Sequence, residues 1–200
     1  MTTATATRLH HEGPHASGMG REELRGRAAG VIVGAVFGLT WAASALPRLD
    51  SVVVVPLLAA SVATFAVLMT GAHRLRRFAT MVPASAPPAG LGNVQRRFTV
   101  VVATETVAII AAANILARSG HSKWVPAVIC ALVGLHFIPL ARLFSVPLYY
   151  ATALALCLVA ASTMILGAGW APTSLWQLLP GFGAALVLWA TSAGLLATTA

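Results

Sequence analysis

Long apolar runs separated by short polar segments dominate the chain from about residue 28 onwards. Six runs stand out, near 28–46, 51–72, 98–117, 124–143, 147–168 and 174–198. Each has about 20 residues, which as a helix is long enough to cross about 30 Å of hydrocarbon. Because a backbone in lipid must satisfy its own hydrogen bonds, such runs favour helices. The pattern predicts an all-α, polytopic membrane protein built as a bundle of six transmembrane helices.

Two polar segments divide the chain further. Residues 1–27 are rich in Thr, His, Gly and Arg, and we expect a disordered tail there, which leaves 28–200 as the membrane domain. The longest internal polar segment, about 73–97, contains Pro87 and Pro88 and is predicted to be a linker. Its Arg-rich ends are expected to touch anionic lipid headgroups.

The composition excludes a soluble enzyme, a disordered protein and a nucleic-acid-binding module. Hydrophobic residues make up 58% of the chain, charged residues only 9%, and the mean hydropathy is +0.84. A soluble domain carries about 25% charged residues, so this chain could not cover a water-facing surface. The net charge of +8 does not indicate nucleic-acid binding, because the basic residues lie in the tail and between apolar runs, where membrane topology explains them.

Basic residues and tryptophans predict how the bundle is oriented. If the N-terminus is cytoplasmic, ten basic residues lie inside and three lie outside, namely Arg48, Arg118 and Lys123. The positive-inside rule then places both termini in the cytoplasm. Four tryptophans fall near the outer interface, as an aromatic belt would: Trp41, Trp124, Trp170 and Trp176. We expect the protein in the cytoplasmic membrane of a bacterium, with the lipid bilayer as its surroundings.

The first apolar run carries a glycine stripe. Gly30, Gly34 and Gly38 are four residues apart and therefore share one face of a helix, where a neighbouring backbone can approach closely. The face could pack inside the bundle, or it could join two copies of the chain as a homodimer. The sequence alone does not separate these alternatives.

The start of the sixth run carries a capping signal. Ser174 followed by Gln177 matches a capping box, in which both side chains hydrogen-bond to backbone groups of the first helical turn. The pattern therefore predicts that both side chains are engaged locally at the start of this helix.

One acidic residue lies inside an apolar run. Of the five acids in the chain, only Glu105 does so, and His136 lies in the next run. Glu105 is seven residues from Phe98 and His136 is seven from Leu143, so both lie about 10 Å inside the same membrane boundary. Consecutive antiparallel helices are usually neighbours, and an unpaired ionisable group in lipid is costly. The spacing therefore predicts that Glu105 contacts His136.

Further residues at this level predict a small polar pocket. Pro139 lacks an N–H group, which frees the Leu135 carbonyl and favours a helix kink. Arg142 lies one to two turns from His136, and Tyr149 and Tyr150 enter the fifth run at nearly the same level. We predict that Glu105, His136, Arg142 and Tyr150 form a binding or proton-linked site open to the cytoplasm. The alternative is a structural polar pair that fixes helix register.

No catalytic or cofactor motif accompanies these residues. The chain has no Walker A loop, no G-x-S-x-G, no H-E-x-x-H and no dinucleotide fingerprint. We therefore expect no catalytic residues, no cofactor and no metal site, and interpret the histidines of the tail as a flexible cluster: His10, His11 and His15. Cys130 and Cys157 lie inside apolar runs and are interpreted as small buried residues.

Residues 134–141, Gly-Leu-His-Phe-Ile-Pro-Leu-Ala, together with Tyr149 and Tyr150, form the most distinctive motif. This stretch resembles a small family of bacterial integral membrane proteins of unknown function that carry a G-x-H-F-x-P element near the cytoplasmic end of a helix. The resemblance implies a polytopic membrane protein with His136 and Pro139 as features. It implies no activity.

These observations leave competing functions open. The first is a small proton-linked transporter or permease, with Glu105 as the protonatable group and His136 as its partner. The second is a structural or regulatory membrane protein that associates through the glycine face. A membrane enzyme or a haem or quinone binder is a third, although a single deep histidine argues against paired-His haem ligation within one chain.

Overall fold

Six long helices make up most of the chain that the structure, a computed structural model, describes, namely residues 19–83, 91–169 and 172–198. All six are long and apolar enough to cross a membrane, and the described residues contain no strand. The prediction of an all-α, multi-pass membrane protein is confirmed. The helices are α1 (Arg21–Ala45), α2 (Ser51–Met81), α3 (Leu91–Arg118), α4 (Val125–Phe144), α5 (Leu148–Ala168) and α6 (Leu175–Ala197).

The predicted linker is mostly helix, which corrects the boundaries near 73–97. Helix α2 continues to Met81 and α3 begins at Leu91, so only residues 82–90 separate them. The arginines of this segment are good helix formers, and no proline interrupts it before Pro83. The 31 residues of α2 span about 46 Å, so α2 is longer than the hydrocarbon layer and its charged last turns can stay helical in the headgroup region.

The tail is also shorter than predicted. Helix α1 begins at Arg21, and its first turns carry the ion pairs Glu22–Arg25 and Glu23–Arg27, both at 3.0 Å. Such pairs at helical spacing support the extra turns outside the apolar run. Residues 1–18, with the predicted histidine cluster, lie outside the described residues.

The six helices run alternately in opposite directions, which gives the bundle two distinct ends. The end that holds the start of α1 and the end of α6 is called the terminal end here, and the opposite end is called the loop end. At the terminal end an Nη1 group of Arg27 donates a 2.7 Å hydrogen bond to the hydroxyl of Thr198. The end of α2, the start of α3 and the turn from α4 to α5 lie at this end too. The cytoplasmic location of the terminal end stays a prediction from the basic residues.

Helix α6 is central to the packing. Its most extensive contact is with α1, and it also packs against α5, α4 and α2. One buried cluster joins α6 to α1 and α2, and comprises Val31, Ala35, Leu68, Ala72 and Leu195. A second joins it to α4 and α5, and comprises Cys130, Leu156, Ala160, Ala184 and Leu188. Cys130 is fully buried there, as expected of a small apolar residue.

Helix α3, in contrast, lies at the edge of the bundle. Among the long helices it packs mainly against α4, and most of its side chains are exposed. Helix α3, which carries Glu105, has no such contact with α5 within the described residues. Since its exposed positions are largely apolar, such as Val107 and Ile110, they fit a lipid-facing surface.

The glycine face of α1 is covered by α6 of the same chain. Ideal Cβ atoms built at Gly34 and Gly38 would collide with Ser192 and with the indole ring of Trp189, respectively. At Gly30 such an atom would lie 2.9 Å from the Tyr149 hydroxyl. Of the two predicted alternatives, packing inside the bundle is the one observed. This face is therefore not free to join a second copy.

Side chains from separate connections meet at the loop end. The rings of Trp124 and Trp176 are 4.6 Å apart, and Lys123 lies over the Trp176 ring. The Nε of Arg48 donates to Oε1 of Gln177, whose Nε2 donates to the backbone carbonyl of Ser44, both at 2.7 Å. The predicted capping box is therefore wrong, because Gln177 is engaged by distant residues and the Ser174 side chain makes no cap bond. Trp170 lies outside the described residues.

Replacing Gln177 by Ala should lower the free energy of unfolding by about 1–2 kcal/mol, because two hydrogen bonds between helix ends are lost. Titration of the purified protein from a mild detergent into SDS would measure this change. Gln95→Ala is a matched control, since Gln95 is exposed on α3. Equal stability of the two variants would show that the bonds of Gln177 contribute nothing.

Candidate functional site

Glu105 and His136 contact each other between α3 and α4. Oε2 of Glu105 lies 3.2 Å from Nδ1 of His136, a distance suited to a hydrogen bond or an ion pair. The contact predicted from their equal depth is confirmed. Both residues lie within helices that are long and apolar enough to span a membrane.

The pair is largely removed from the protein surface. The Glu105 side chain is 18% exposed and that of His136 is 10% exposed, although α3 as a whole is at the edge of the bundle. Neither side chain has another ion pair or hydrogen bond with a described residue. The neighbouring Thr106 hydroxyl donates to the Val102 carbonyl of its own helix and does not reach the pair. Each partner therefore depends on the other to offset the cost of its burial.

Pro139 lies one turn beyond His136 in an uninterrupted α4. It has no N–H to donate, so the carbonyl of Leu135 lacks its usual helical partner. Leu135 is itself exposed, and its free carbonyl adds polarity next to the imidazole.

Arg142 lines an open groove at the terminal end of the α3–α4 pair. The groove has a volume of about 650 Å³, and Asn93, Arg96 and Arg97 of α3 face Arg142 of α4 across it. Its innermost lining residues are Val101 and Pro139, four and three residues from Glu105 and His136, respectively. The sequence prediction does not include the α3 residues that line this groove, because it places residues 73–97 in a linker. The sequence signal for these residues is their spacing: Arg96 and Arg97 precede Val100 and Val101 by one helical turn and therefore share a face with them.

The two tyrosines do not join this arrangement. The Tyr149 hydroxyl lies beside Gly30 of α1, and its ring packs edge-on against Phe137, with centroids 5.4 Å apart. Tyr150 is 45% exposed in the first turn of α5 and is not among the described residues that line the groove. Of the four predicted site residues, the structure brings Glu105 and His136 into contact, places Arg142 in the adjoining groove and leaves Tyr150 apart.

The described side chains provide one carboxylate and one imidazole at this point and no further metal ligand. No group of three or more His, Cys, Asp or Glu residues gathers within residues 19–83, 91–169 and 172–198. Cys130 and Cys157 are both free; the Cys130 thiol donates to the Leu156 carbonyl between α4 and α5. A carboxyl group and an imidazole in contact can exchange a proton and hydrogen-bond to each other.

Comparisons with protein-family models, with curated proteins and with solved structures find no match for this chain. The resemblance carried by the G-x-H-F-x-P element accordingly stays a prediction from the motif.

Proposed function

We propose that the chain is a small proton-linked transporter or permease in which Glu105 carries the proton and His136 is its partner. The observation that carries this proposal is the 3.2 Å contact between their side chains inside two membrane-spanning helices. Ionisable residues are rare in such segments because burying them is costly, and where they occur they commonly mark proton or substrate pathways.

A carboxyl and an imidazole at this distance can hold one shared proton in two ways. The pair is a carboxylate with an imidazolium, or a carboxylic acid with a neutral imidazole, and its net charge is zero in both cases. Binding a second proton makes the net charge +1. An uncompensated charge is disfavoured in a low-dielectric site. Binding of the second proton would therefore favour the simultaneous binding of an anionic group, or a movement of the pair toward water.

The groove supports access to the pair from the terminal end. It opens between α3 and α4, and Val101 and Pro139 bring its inner limit within one helical turn of Glu105 and His136. A carrier must also open toward the other side of the membrane. We assign that movement to α3, since among the long helices it packs mainly against α4.

Glu105→Gln should abolish proton-coupled uptake, because the amide keeps the shape and hydrogen-bonding capacity of the side chain but cannot release a proton. Liposomes with reconstituted protein and an enclosed pH-sensitive dye would be exposed to a panel of amino acids, sugars and organic acids. For any solute that acidifies wild-type liposomes, the signal of the variant should fall to that of protein-free liposomes. Glu22→Gln, at an exposed acid on α1, is the matched control and should transport normally.

A substrate-free measurement accompanies the uptake assay. The infrared difference spectrum between acidic and alkaline buffer should contain, beside the carboxylic acid C=O bands of the other four acids, a component in the wild-type protein that Glu105→Gln lacks. Coupled uptake by the Glu105→Gln variant at the wild-type rate would refute the proposed role of Glu105.

A structural role is the second candidate, and the edge position of α3 favours it. A polar contact between two helices specifies their register, and this one joins α3 to its main neighbour. In that case Glu105→Gln would leave every flux unchanged and lower only stability. Association through the glycine face has no comparable support, because α6 covers that face.

A further inference from the structure

The groove between α3 and α4 changes character along its length. Toward the terminal end it is lined by polar and basic side chains, among them Arg96, Arg97 and Arg142. Farther into the bundle the lining becomes apolar, with Val101 and Pro139. An open groove that is basic toward the terminal end and apolar farther along matches the profile of a phospholipid, whose charged headgroup adjoins apolar acyl chains.

The positive charge of the groove is not neutralised by the protein residues that the structure describes. Arg96, Arg97 and Arg142 are exposed and form no ion pair within residues 19–83, 91–169 and 172–198. The described acids are engaged or placed elsewhere: Glu22 and Glu23 pair with arginines of α1, Glu105 contacts His136, and Asp50 precedes α2 at the loop end. Three arginines that line one groove are therefore available to bind an external anion.

Two contacts hold the walls of the groove in place. The rings of Phe98 and Phe144 lie 5.9 Å apart at the level of the arginines, and Glu105 contacts His136 about 10 Å farther along α3. Because both contacts join α3 to α4, the spacing between the helices is set before a ligand arrives. A preformed site loses little free energy to reorganisation on binding.

We propose that this groove binds the phosphate headgroup of an anionic phospholipid. The arginines donate charge-assisted hydrogen bonds to the phosphate oxygens, and Asn93 adds a polar contact at the mouth. The apolar inner part packs against the glycerol region and the first carbons of an acyl chain. A free phosphate ion offers the same oxygens but would leave that part unfilled. Basic pockets between helices at a membrane boundary commonly recognise lipid headgroups. The proposed transport function uses the same groove as its access route, but lipid binding is measured separately from transport, so either proposal can fail without the other.

Native mass spectrometry of the full chain, released from detergent micelles, would count bound lipids. The probes are phosphatidylglycerol, the zwitterionic phosphatidylcholine, and inorganic phosphate. We expect phosphatidylglycerol to bind at one saturable site, phosphatidylcholine to bind at least about tenfold more weakly, and phosphate not to compete at matched concentration. Equal binding of the two lipids, or full displacement by phosphate, would overturn the proposal.

Two variants that lose the same charge distinguish lipid binding in this groove from general electrostatic attraction of an anionic lipid to the basic end of the protein. The combined replacement of Arg96, Arg97 and Arg142 by Gln should weaken phosphatidylglycerol binding by about a hundredfold, at about fivefold per arginine. The combined replacement of Arg74, Arg76 and Arg77 by Gln removes three charges from α2 at the same end and should change binding less than threefold, because these residues do not line the groove. Equal losses in both variants would show that only overall charge matters.

A single substitution keeps the test decisive if the triple variant folds poorly. Arg142→Gln alters one exposed side chain on α4 and should weaken phosphatidylglycerol binding about fivefold. The melting temperature without lipid should equal that of the wild type, whereas the rise in melting temperature on adding phosphatidylglycerol should shrink. An unchanged rise would remove Arg142 from the site and contradict the proposal.

Discussion

Substitution of Gly34 by Leu is expected to lower the free energy of unfolding by about 3 kcal/mol, because it forces a side chain into the close contact between α1 and α6. A Cβ atom at this position would collide with the Ser192 hydroxyl and lie 3.3 Å from the Leu188 carbonyl oxygen. The hydroxyl can rotate away, but the carbonyl belongs to the backbone of α6 and cannot. The two helices must therefore separate, and contacts along α1 and α6 are lost together.

Gly26→Leu is the matched control for this prediction. Gly26 lies two turns earlier in α1, and a Cβ built there meets no atom within 4 Å. The same substitution should leave stability unchanged or raise it slightly, since Leu favours helix more than Gly does. Unfolding of both variants in detergent with increasing SDS would compare them directly. Equal destabilisation would mean that helix propensity or expression, and not the α1–α6 contact, limits stability.

A double-mutant cycle on Glu105 and His136 should reveal strong coupling. Replacing either residue alone by Leu leaves an unpaired polar partner, and each change is expected to cost about 2 kcal/mol, less than for a fully buried pair because both side chains are partly exposed. Replacing both removes the unpaired group as well. The double variant should therefore be more stable than the sum of the single effects predicts, by about 1–2 kcal/mol.

The exposed pair Glu22–Arg25 provides the reference cycle. Its atoms are 3.0 Å apart, closer than those of Glu105 and His136, but the side chains of Glu22 and Arg25 are 59% and 48% exposed, respectively. Solvent screening limits such pairs to about 0.5 kcal/mol. If the coupling free energy of Glu105 and His136 is no larger than that of Glu22 and Arg25, then Glu105 and His136 do not depend on each other. Both functions considered for Glu105 and His136 would then lose support.

The membrane helices and the Glu105–His136 contact could be predicted because each depends on distance along a helix. Six apolar runs of sufficient length leave little choice of fold in lipid. Counting residues from Phe98 and from Leu143 gives the correct relative depth of the pair, because the Phe98 ring contacts Phe144, next to Leu143. These positions therefore lie at one level, although α3 itself starts seven residues earlier at Leu91.

Rotation about a helix axis and long-range partners could not be predicted in the same way. Successive residues on a helix differ by about 100° in direction, so Tyr149 and Tyr150 at one depth need not face one pocket. Packing against α1 turns Tyr149 away from Glu105. Gln177 fits a local capping signal, yet Arg48 and Ser44, more than a hundred positions away in the chain, engage it instead. A single sequence contains no signal for such contacts.

The central place of α6 has a consequence for how the protein is assembled. Synthesis produces α6 after the other five described helices, yet α6 supplies residues to the buried clusters on both of its sides. During translation α1 must therefore wait in the bilayer with its glycine side toward lipid or toward insertion machinery. The nascent bundle closes only when α6 arrives, so a ribosome stalled before α6 would leave an open, unfinished product for membrane proteases to recognise.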